Sequence, residues 1–322
     1  MRRQQGVALI TVLLVVALVS VVSAAIVARQ QLAIRSSANQ FHVRQAWHYA
    51  LGGETLAKAV LRRDLQQGDP RAPVDHPAEA WARPLAPFAL DEGGELHVRI
   101  EDPTGRFNLN SLMRQGQVNQ AALQQFRRLL RSLQIDKPYA ERLLDWLDAD
   151  QEVSGGTGAE DNQYLLAQPA YRAGNRALVD VSELRLLLEM DEADYRRLLP
   201  LVTALPAEAT LNVNTAGAWV LASLAEGLPL SSAEGLVARR GNQGYADLPS
   251  FLAQLPGLQV QSQELAVGSE YFQVTSEVSV GDRRQVLRST LRRTSDGRSY
   301  VLTRDLGQDA VSAPVPTEEV EP

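Results

Sequence analysis

One apolar segment near the amino terminus constrains this chain more than any other feature. From Val7 to Ala28 every residue is apolar except Thr11, Ser20 and Ser23. A helix rises about 1.5 Å per residue, so the run can cross a hydrocarbon layer about 30 Å thick. Arg2 and Arg3 precede it, and Arg29 is the first charge after it. The leading arginines favour a cytoplasmic amino terminus with the bulk of the chain outside, while Arg29, Arg35 and Arg44 pull the other way. Three fates are open. The segment could be a secretory signal cut near Ser23-Ala24-Ala25, although such apolar regions usually run about 7–15 residues. It could be an uncleaved signal anchor. Or a short basic leader could be removed at a glycine while the apolar run stays.

Beyond this segment the chain is long enough for one large or two modest domains. The 322 residues carry 38 acids against 32 Lys and Arg, a net charge of −6. Bulk positive charge therefore does not hold it to nucleic acid. With no cysteine, disulfides, thiolate metal sites and cysteine nucleophiles are excluded.

The apolar run passes into an amphipathic one. Leu32, Ile34, Phe41, Val43, Trp47, Leu51, Leu56, Val60 and Leu61 recur at helical spacing as far as Asp64, with Gly52-Gly53 as a candidate kink. Residues 65–94 are rich in Pro, Gly and Asp and read as loop. Glu95 to Ile100 alternates as a strand does. Near the carboxyl end, Tyr271–Val280, Gln285–Arg293 and Ser299–Arg304 form a meander, with turns at Gly281-Asp282 and Asp296-Gly297. Its arginines, Arg283, Arg284, Arg288, Arg292 and Arg293, read as a solvated face. The tail, 307–322, is Pro-rich and acidic and reads as disordered. Between Gly105 and Gly257 nearly everything reads as short helices. The fold class is therefore α+β: a long amino-terminal helix, an antiparallel sheet and an inserted all-α domain.

Within the helical block a weak duplication is visible. Phe107-Asn108-Leu109-Asn110-Ser111-Leu112 echoes Leu211-Asn212-Val213-Asn214-Thr215-Ala216. Asn110-Ser111 and Asn214-Thr215 read as helix N-caps. Such a duplicated unit fits a SAM-like packing fold. The second half also resembles helix-hairpin-helix modules, through Leu211–Ala216, Leu255-Pro256-Gly257 and the basic stretch Arg239-Arg240-Gly241-Asn242-Gln243-Gly244. That resemblance implies an alternative: a membrane-tethered periplasmic DNA receptor. The corresponding stretch of the first half, Asp145 to Asp150, is acidic and would repel phosphate.

The start, Met1-Arg-Arg-Gln-Gln-Gly6 followed by Val7-Ala-Leu-Ile-Thr-Val-Leu-Leu, resembles the prepilin-peptidase site of type IV pilins and pseudopilins. The resemblance implies a cut between Gly6 and Val7 and methylation of the new Val7 amine. Most pilins carry a glutamate where Thr11 stands here, and its absence marks the K-type minor pseudopilins of type II secretion. The layout of nearly the whole chain is similar to that family, whose sheet region carries a helical insert. The resemblance implies a non-enzymatic subunit at the pseudopilus tip that initiates or caps the filament. Its partners would be minor pseudopilins of the I and J types, prepilin peptidase and the inner membrane, with the carboxyl-terminal bulk in the periplasm and no nucleic acid. The implied organisation is a leader at 1–6 and a membrane part at 7–28. A pilin-like domain follows at 29–104 and 258–306, with an insert at 105–257 and a tail at 307–322.

The acidic stretch 145–161 carries six acids, no basic residue and three glycines. Crowded carboxylates repel one another unless a cation sits between them, and hard oxygen ligands suit Ca²⁺. Asp148, Asp150 and Glu152 alternate as EF-hand ligands do, but Val153 replaces the mid-loop glycine and Ala159 the twelfth-position acid. The expectation is a looser loop closed by Glu160 and Asp161, with carbonyls such as that of Gln151 assisting. The alternative is a solvated loop whose acids cap the next helix. The K-type resemblance implies calcium in this Asp-Trp-x-Asp-x-Asp region. HExxH, GxSxG, P-loop and Rossmann patterns are absent. The four histidines are scattered, and no enzymatic role is expected.

Overall fold

The computed structural model describes residues 5–90, 93–280 and 283–307. The leader before Gln5, the expected turn at Gly281-Asp282 and the tail from 308 onward lie outside the described residues.

One helix, α1 (Gln5–Gln67), opens the chain. Its apolar residues from Val7 to Val27 are exposed all round, uncovered by any of the described residues. Farther along, Ala46, Ala50, Ala57, Leu61 and Leu65 are buried. Their spacing by fours and sevens makes one stripe. The Gly52-Gly53 pair does not interrupt the helix. A Cβ on Gly53 would lie 2.5 Å from Ser276 Oγ and 3.0 Å from Val98 Cγ2. The glycine is there for close approach to the sheet and not for a kink.

The strands β1 (Phe88–Ala89) and β2 (Glu95–Glu101) follow. In β2, Leu96, Val98 and Ile100 turn inward and the residues between them turn outward. The chain then leaves the sheet. The first half of the insert contains β3 (Phe107–Asn108), a β4–β5 pair (Met113–Arg114, Gln117–Val118), α2 (Gln120–Ser132) and α3 (Tyr139–Leu147). It continues through α4 (Asp161–Tyr164), α5 (Glu192–Leu198) and β6 (Val202–Thr203). The second half contains β7 (Leu211–Asn212), α6 (Ala218–Ala222), α7 (Leu230–Arg240), α8 (Leu248–Leu252) and β8 (Leu265–Ala266). The chain returns as β9 (Tyr271–Val280), β10 (Arg283–Arg293) and β11 (Ser299–Asp305). The sheet order is β1-β2-β9-β10-β11, antiparallel throughout.

Helix and sheet share one core of Ala50, Leu61, Val98, Phe272, Val274, Leu287 and Leu291. Trp81, from the loop after α1, closes it edge-on against Phe272 at 5.3 Å. A buried carboxylate ties the layers. Glu54 of α1 accepts from Ser289 Oγ at 2.8 Å and from Arg304 Nε at 2.8 Å. Burial opposes its charge, but hydrogen bonds from Arg304, Lys58 and Ser289 outweigh that and bring its pKa down to about 2.

The insert sits at the end of the sheet farthest from the apolar segment. Glu101, where it departs, pairs with Gln273 near the start of β9, where it returns. Arg293 at the end of β10 reaches both Asp64 near the end of α1 (3.3 Å) and Asp75 (2.7 Å to each oxygen). Of the five arginines expected on a solvated face, Arg283, Arg284 and Arg292 are exposed and Arg288 is half-buried, while Arg293 is only 3% exposed. Asp75 also accepts from Ser269 N at 2.8 Å, and Asn212 of the insert donates to the Asp75 carbonyl at 2.9 Å.

The two halves repeat each other. Each opens on a short strand that pairs in parallel with a strand closing the same half: Phe107 with Val202, Leu211 with Leu265. The second asparagine of each motif is a clamp. Asn110 accepts from Leu178 N (2.8 Å) and donates back to its carbonyl (2.9 Å). Asn214 does the same with Tyr245, accepting from its N and donating to its carbonyl at 3.0 Å. These side chains staple distant loops and do not cap helices, which corrects the N-cap expectation. Asn108 does cap, accepting from Asn110 N.

Gly53→Leu is expected to lower stability by about 1–3 kcal/mol through overpacking. Gly52→Ala, where nothing lies within 4 Å, is expected to raise it by up to about 1 kcal/mol. Thermal unfolding of the two variants checks the pair, and a loss in both would contradict the close-approach account.

Candidate metal centre in the acidic loop

The centre forms where α3 ends. Asp145 and Asp148 stand three apart at the last turn, so both carboxylates fall on one helical face. After Asp148 the chain loops through a tight turn at Ser154–Gly156, where Gly155 and Gly156 hold φ of 60° and 74°. That region favours glycine. The turn brings Ser154 N onto Asp145, 3.0 and 3.1 Å from its two oxygens. At Gly158 an added Cβ would overlap Asp145 Oδ2. The loop therefore closes against Asp145 and delivers Glu160 to the same place.

Asp145, Asp148 and Glu160 each offer a carboxylate oxygen, and these lie within 4.8 Å of one another. All three residues are buried. Asp148 Oδ1 and both oxygens of Glu160 find no hydrogen-bond partner among the described residues. Burial, then repulsion from Asp150 and Asp145, pushes the Asp148 carboxyl up to about 6. Burial, then Asp145 and Asp148, pushes Glu160 up to about 7. Asp145 is raised by burial, with bonds from Ser154 acting against the rise. Unpaired buried carboxylates are costly; the orphaned oxygens of Asp148 and Glu160 lie beside the Asp145 carboxylate, whose two oxygens both meet Ser154 N. An all-oxygen donor set with orphaned lone pairs fits a hard divalent cation such as Ca²⁺.

Of the residues picked out from sequence, the structure brings Asp148 and Glu160 into this cluster. Asp150, Gln151 and Glu152 are exposed beside it, with Asp150 Oδ1 accepting from Glu152 N at 2.8 Å. Asp161 is turned away, accepting from Ala173 N at 3.0 Å and pairing with Arg172. Sequence reading left Asp145 out of the ligand set. The signal for it was its spacing of three from Asp148 at a helix end.

The helix-hairpin-helix motif has a different use here. Arg240 turns inward and donates to the carbonyls of Val213 (3.1 Å) and Ala216 (2.6 Å). A Cβ on Gly244 would press within 2.9 Å of Asn214 side-chain atoms. Both residues serve packing, and the Arg240 guanidinium is spent on the protein's own backbone.

In metal-free protein the acids set a definite pH dependence. Their folded pKa values of about 6 and 7 exceed the ordinary carboxyl range. At these two groups the native state binds more protons than the unfolded chain between roughly pH 4 and 7, so their contribution to stability falls as pH rises. With chelator present, the melting temperature should rise as pH drops from 7.5 to 5. Glu160→Gln should raise it at pH 7.5 and flatten the profile. A profile unchanged by the substitution would contradict the cluster's electrostatics.

Comparison with known proteins agrees with this architecture. Residues 105–207 and 211–275 match two family models, both described as type II secretion system protein K. Type II secretion system protein K of Pseudomonas aeruginosa is 61% identical, with 97% of this chain and 96% of that one covered. The Klebsiella pneumoniae protein of the same description is 38% identical over 92% and 94%. Among solved structures, one from the GspK-GspI-GspJ complex of the enterotoxigenic Escherichia coli type 2 secretion system superposes with a TM-score of 0.75. It is 28% identical, with 85% of this chain and 99% of that chain covered. The duplicated insert, the long first helix and these likenesses converge: this chain belongs to the type II secretion system protein K family.

Proposed function

We propose that the protein is a non-enzymatic minor pseudopilin at the tip of the type II secretion pseudopilus, where it starts or caps the filament. One observation carries this reading. The helix that leaves the head domain is bare along its apolar part, and the bulky insert crowns the opposite end of the sheet. A subunit of that shape can join sister helices below but presents a large helical domain where the next subunit would stack. The relative solved as a complex with GspI and GspJ supports minor pseudopilins as the sisters. Thr11 supports the tip as well: its hydroxyl bonds the Ala8 carbonyl within the helix at 2.9 Å, so it leaves no polar group in lipid that needs a partner.

In this reading residues 1–6 are a leader removed by prepilin peptidase between Gly6 and Val7, and the Val7 amine is methylated. The apolar part of α1 anchors the chain in the inner membrane, with the sheet (29–104 and 258–306) and the insert (105–257) in the periplasm. The tail is 307–322. A Ca²⁺ ion is held by Asp145, Asp148 and Glu160. Asp150 lies near enough to raise both neighbouring pKa values and joins them, with Gln151 and Glu152 lending carbonyls. Asp161, bound to Arg172, supports from outside. The ion would be structural, pinning a long loop that buries little apolar surface.

Two measurements test this. The amino-terminal peptide of protein from cells with prepilin peptidase should begin at a methylated Val7, and from cells without it at Met1; a mature start near Ala25 in an unanchored protein would overturn the reading. Calcium titrated into chelator-treated protein should bind and raise the melting temperature. Asp148→Asn with Glu160→Gln should weaken binding tenfold or more, and equal binding by that variant would remove the metal assignment.

A further inference from the structure

The far side of the apolar segment carries charge that ordinary membrane topology disfavours. Arg29, Arg35 and Arg44 follow the run, and no acid occurs in the sequence before Glu54. All three arginines are exposed on α1, and none makes an ion pair among the described residues. Positive residues just outside an exported segment oppose its orientation, so their presence calls for a compensating contact.

Helix geometry places two of them at the membrane surface. The headgroup layer adds about 5–8 Å on each side of the hydrocarbon. Arg29 is the first residue past the apolar run, and Arg35 lies about 9 Å farther along the axis. Their flexible stems reach back across that distance. Arg44, about 22 Å beyond Arg29, stands clear of the layer. Leu32 and Ile34, between the two arginines, are 67% and 68% exposed, an apolar pair suited to an interface.

The angular spread points to the occupant. At 100° per residue, Arg35 lies about 240° round the helix from Arg29. A single partner helix reads one stripe at spacings of three and four, whereas these arginines face different sides. Surroundings that meet the helix from every side fit them better, and fluid lipid is such a surrounding.

We propose that Arg29 and Arg35 form a collar that binds anionic phospholipid headgroups of the outer leaflet where α1 leaves the membrane. This rests on the membrane-anchored reading above. The collar would hold the subunit at a fixed depth until it is drawn into a filament.

The test uses the full-length protein in phosphatidylcholine nanodiscs containing a minor share of spin-labelled phosphatidylglycerol or spin-labelled phosphatidylcholine. The wild type should restrict phosphatidylglycerol preferentially, and high salt should weaken the preference. Arg29→Gln with Arg35→Gln should reduce it at low salt by about five-fold per arginine, while Arg44→Gln leaves it in place. Equal restriction of both lipids by the wild type would overturn the proposal. So would a preference that survives the double substitution, or loss of co-purifying sister subunits without any change in lipid preference, which would assign the arginines to protein. Flotation of the same preparations on a density gradient separates the failures. A chain that does not float overturns the anchored reading too, and one that floats without lipid preference overturns the collar alone.

Discussion

The main cover of the sheet's inner face is α1, with Trp81 from the following loop closing one part of it. Leu96, Val98, Ile100, Phe272 and Val274 are buried against the stripe of Ala46, Ala50 and Ala57. At about 25 cal/mol for each Å² of apolar surface removed from water, such a face contributes much of a small domain's stability. The same helix continues, unbroken, into the apolar segment. The sheet domain and the apolar segment are therefore joined by continuous helix with no linker between them. Small residues make this possible: Gly53 and the alanines let the axis approach closely, and Glu54 locks its rotation through Arg304 and Ser289.

A second layer of organisation depends on buried polar groups. Asp102 Oδ2 accepts from Asn212 Nδ2 at 2.9 Å and from Thr215 Oγ1 at 2.6 Å. Together with the Asp75–Arg293 pair, it joins insert, loop and sheet at one place. Removing one member of such a buried pair typically costs about 3–5 kcal/mol because the other charge is stranded. Burial raises Asp75 to about 6 even with Arg293 working against the rise. This junction stabilises by being complete, and it fixes how the insert is oriented on the sheet.

Much of this was readable from the residues. The apolar run, the alternation of β2 and the three carboxyl-terminal strands follow from periods of 3.6 and 2 and from turn chemistry, which are local. The asparagine echo was visible too, but not its meaning, because Asn110 and Asn214 act on loops 68 and 31 residues away. The two-residue edge strand Phe88–Ala89 carries too little pattern to stand out from a Pro-rich loop. Arg293 looked like its exposed neighbours, since nothing local reveals that Asp64 and Asp75 converge on it. In the candidate metal centre, Asp148 and Glu160 were legible as acids in a glycine-rich loop. Asp145 sits on the helix before that loop, and only the fold shows the loop folding back onto it.

The duplication also shows the acidic loop to be an addition to the repeated unit. In the second half, α7 is followed by a four-residue turn before Tyr245 is clamped by Asn214. In the first half, the corresponding gap from α3 to the clamped Leu178 holds the whole acidic stretch. The extra length must be organised by something other than the repeat's own core.

Traced as topology, β2 and β9 are neighbouring antiparallel strands, and the entire insert stands where their connecting turn would be. Its two attachment points sit side by side, so its size places no demand on strand order. A pilin-type sheet can therefore gain, lose or exchange a domain at this spot with its hairpin intact, and a crown of any bulk can be grafted onto the shaft without redesigning it.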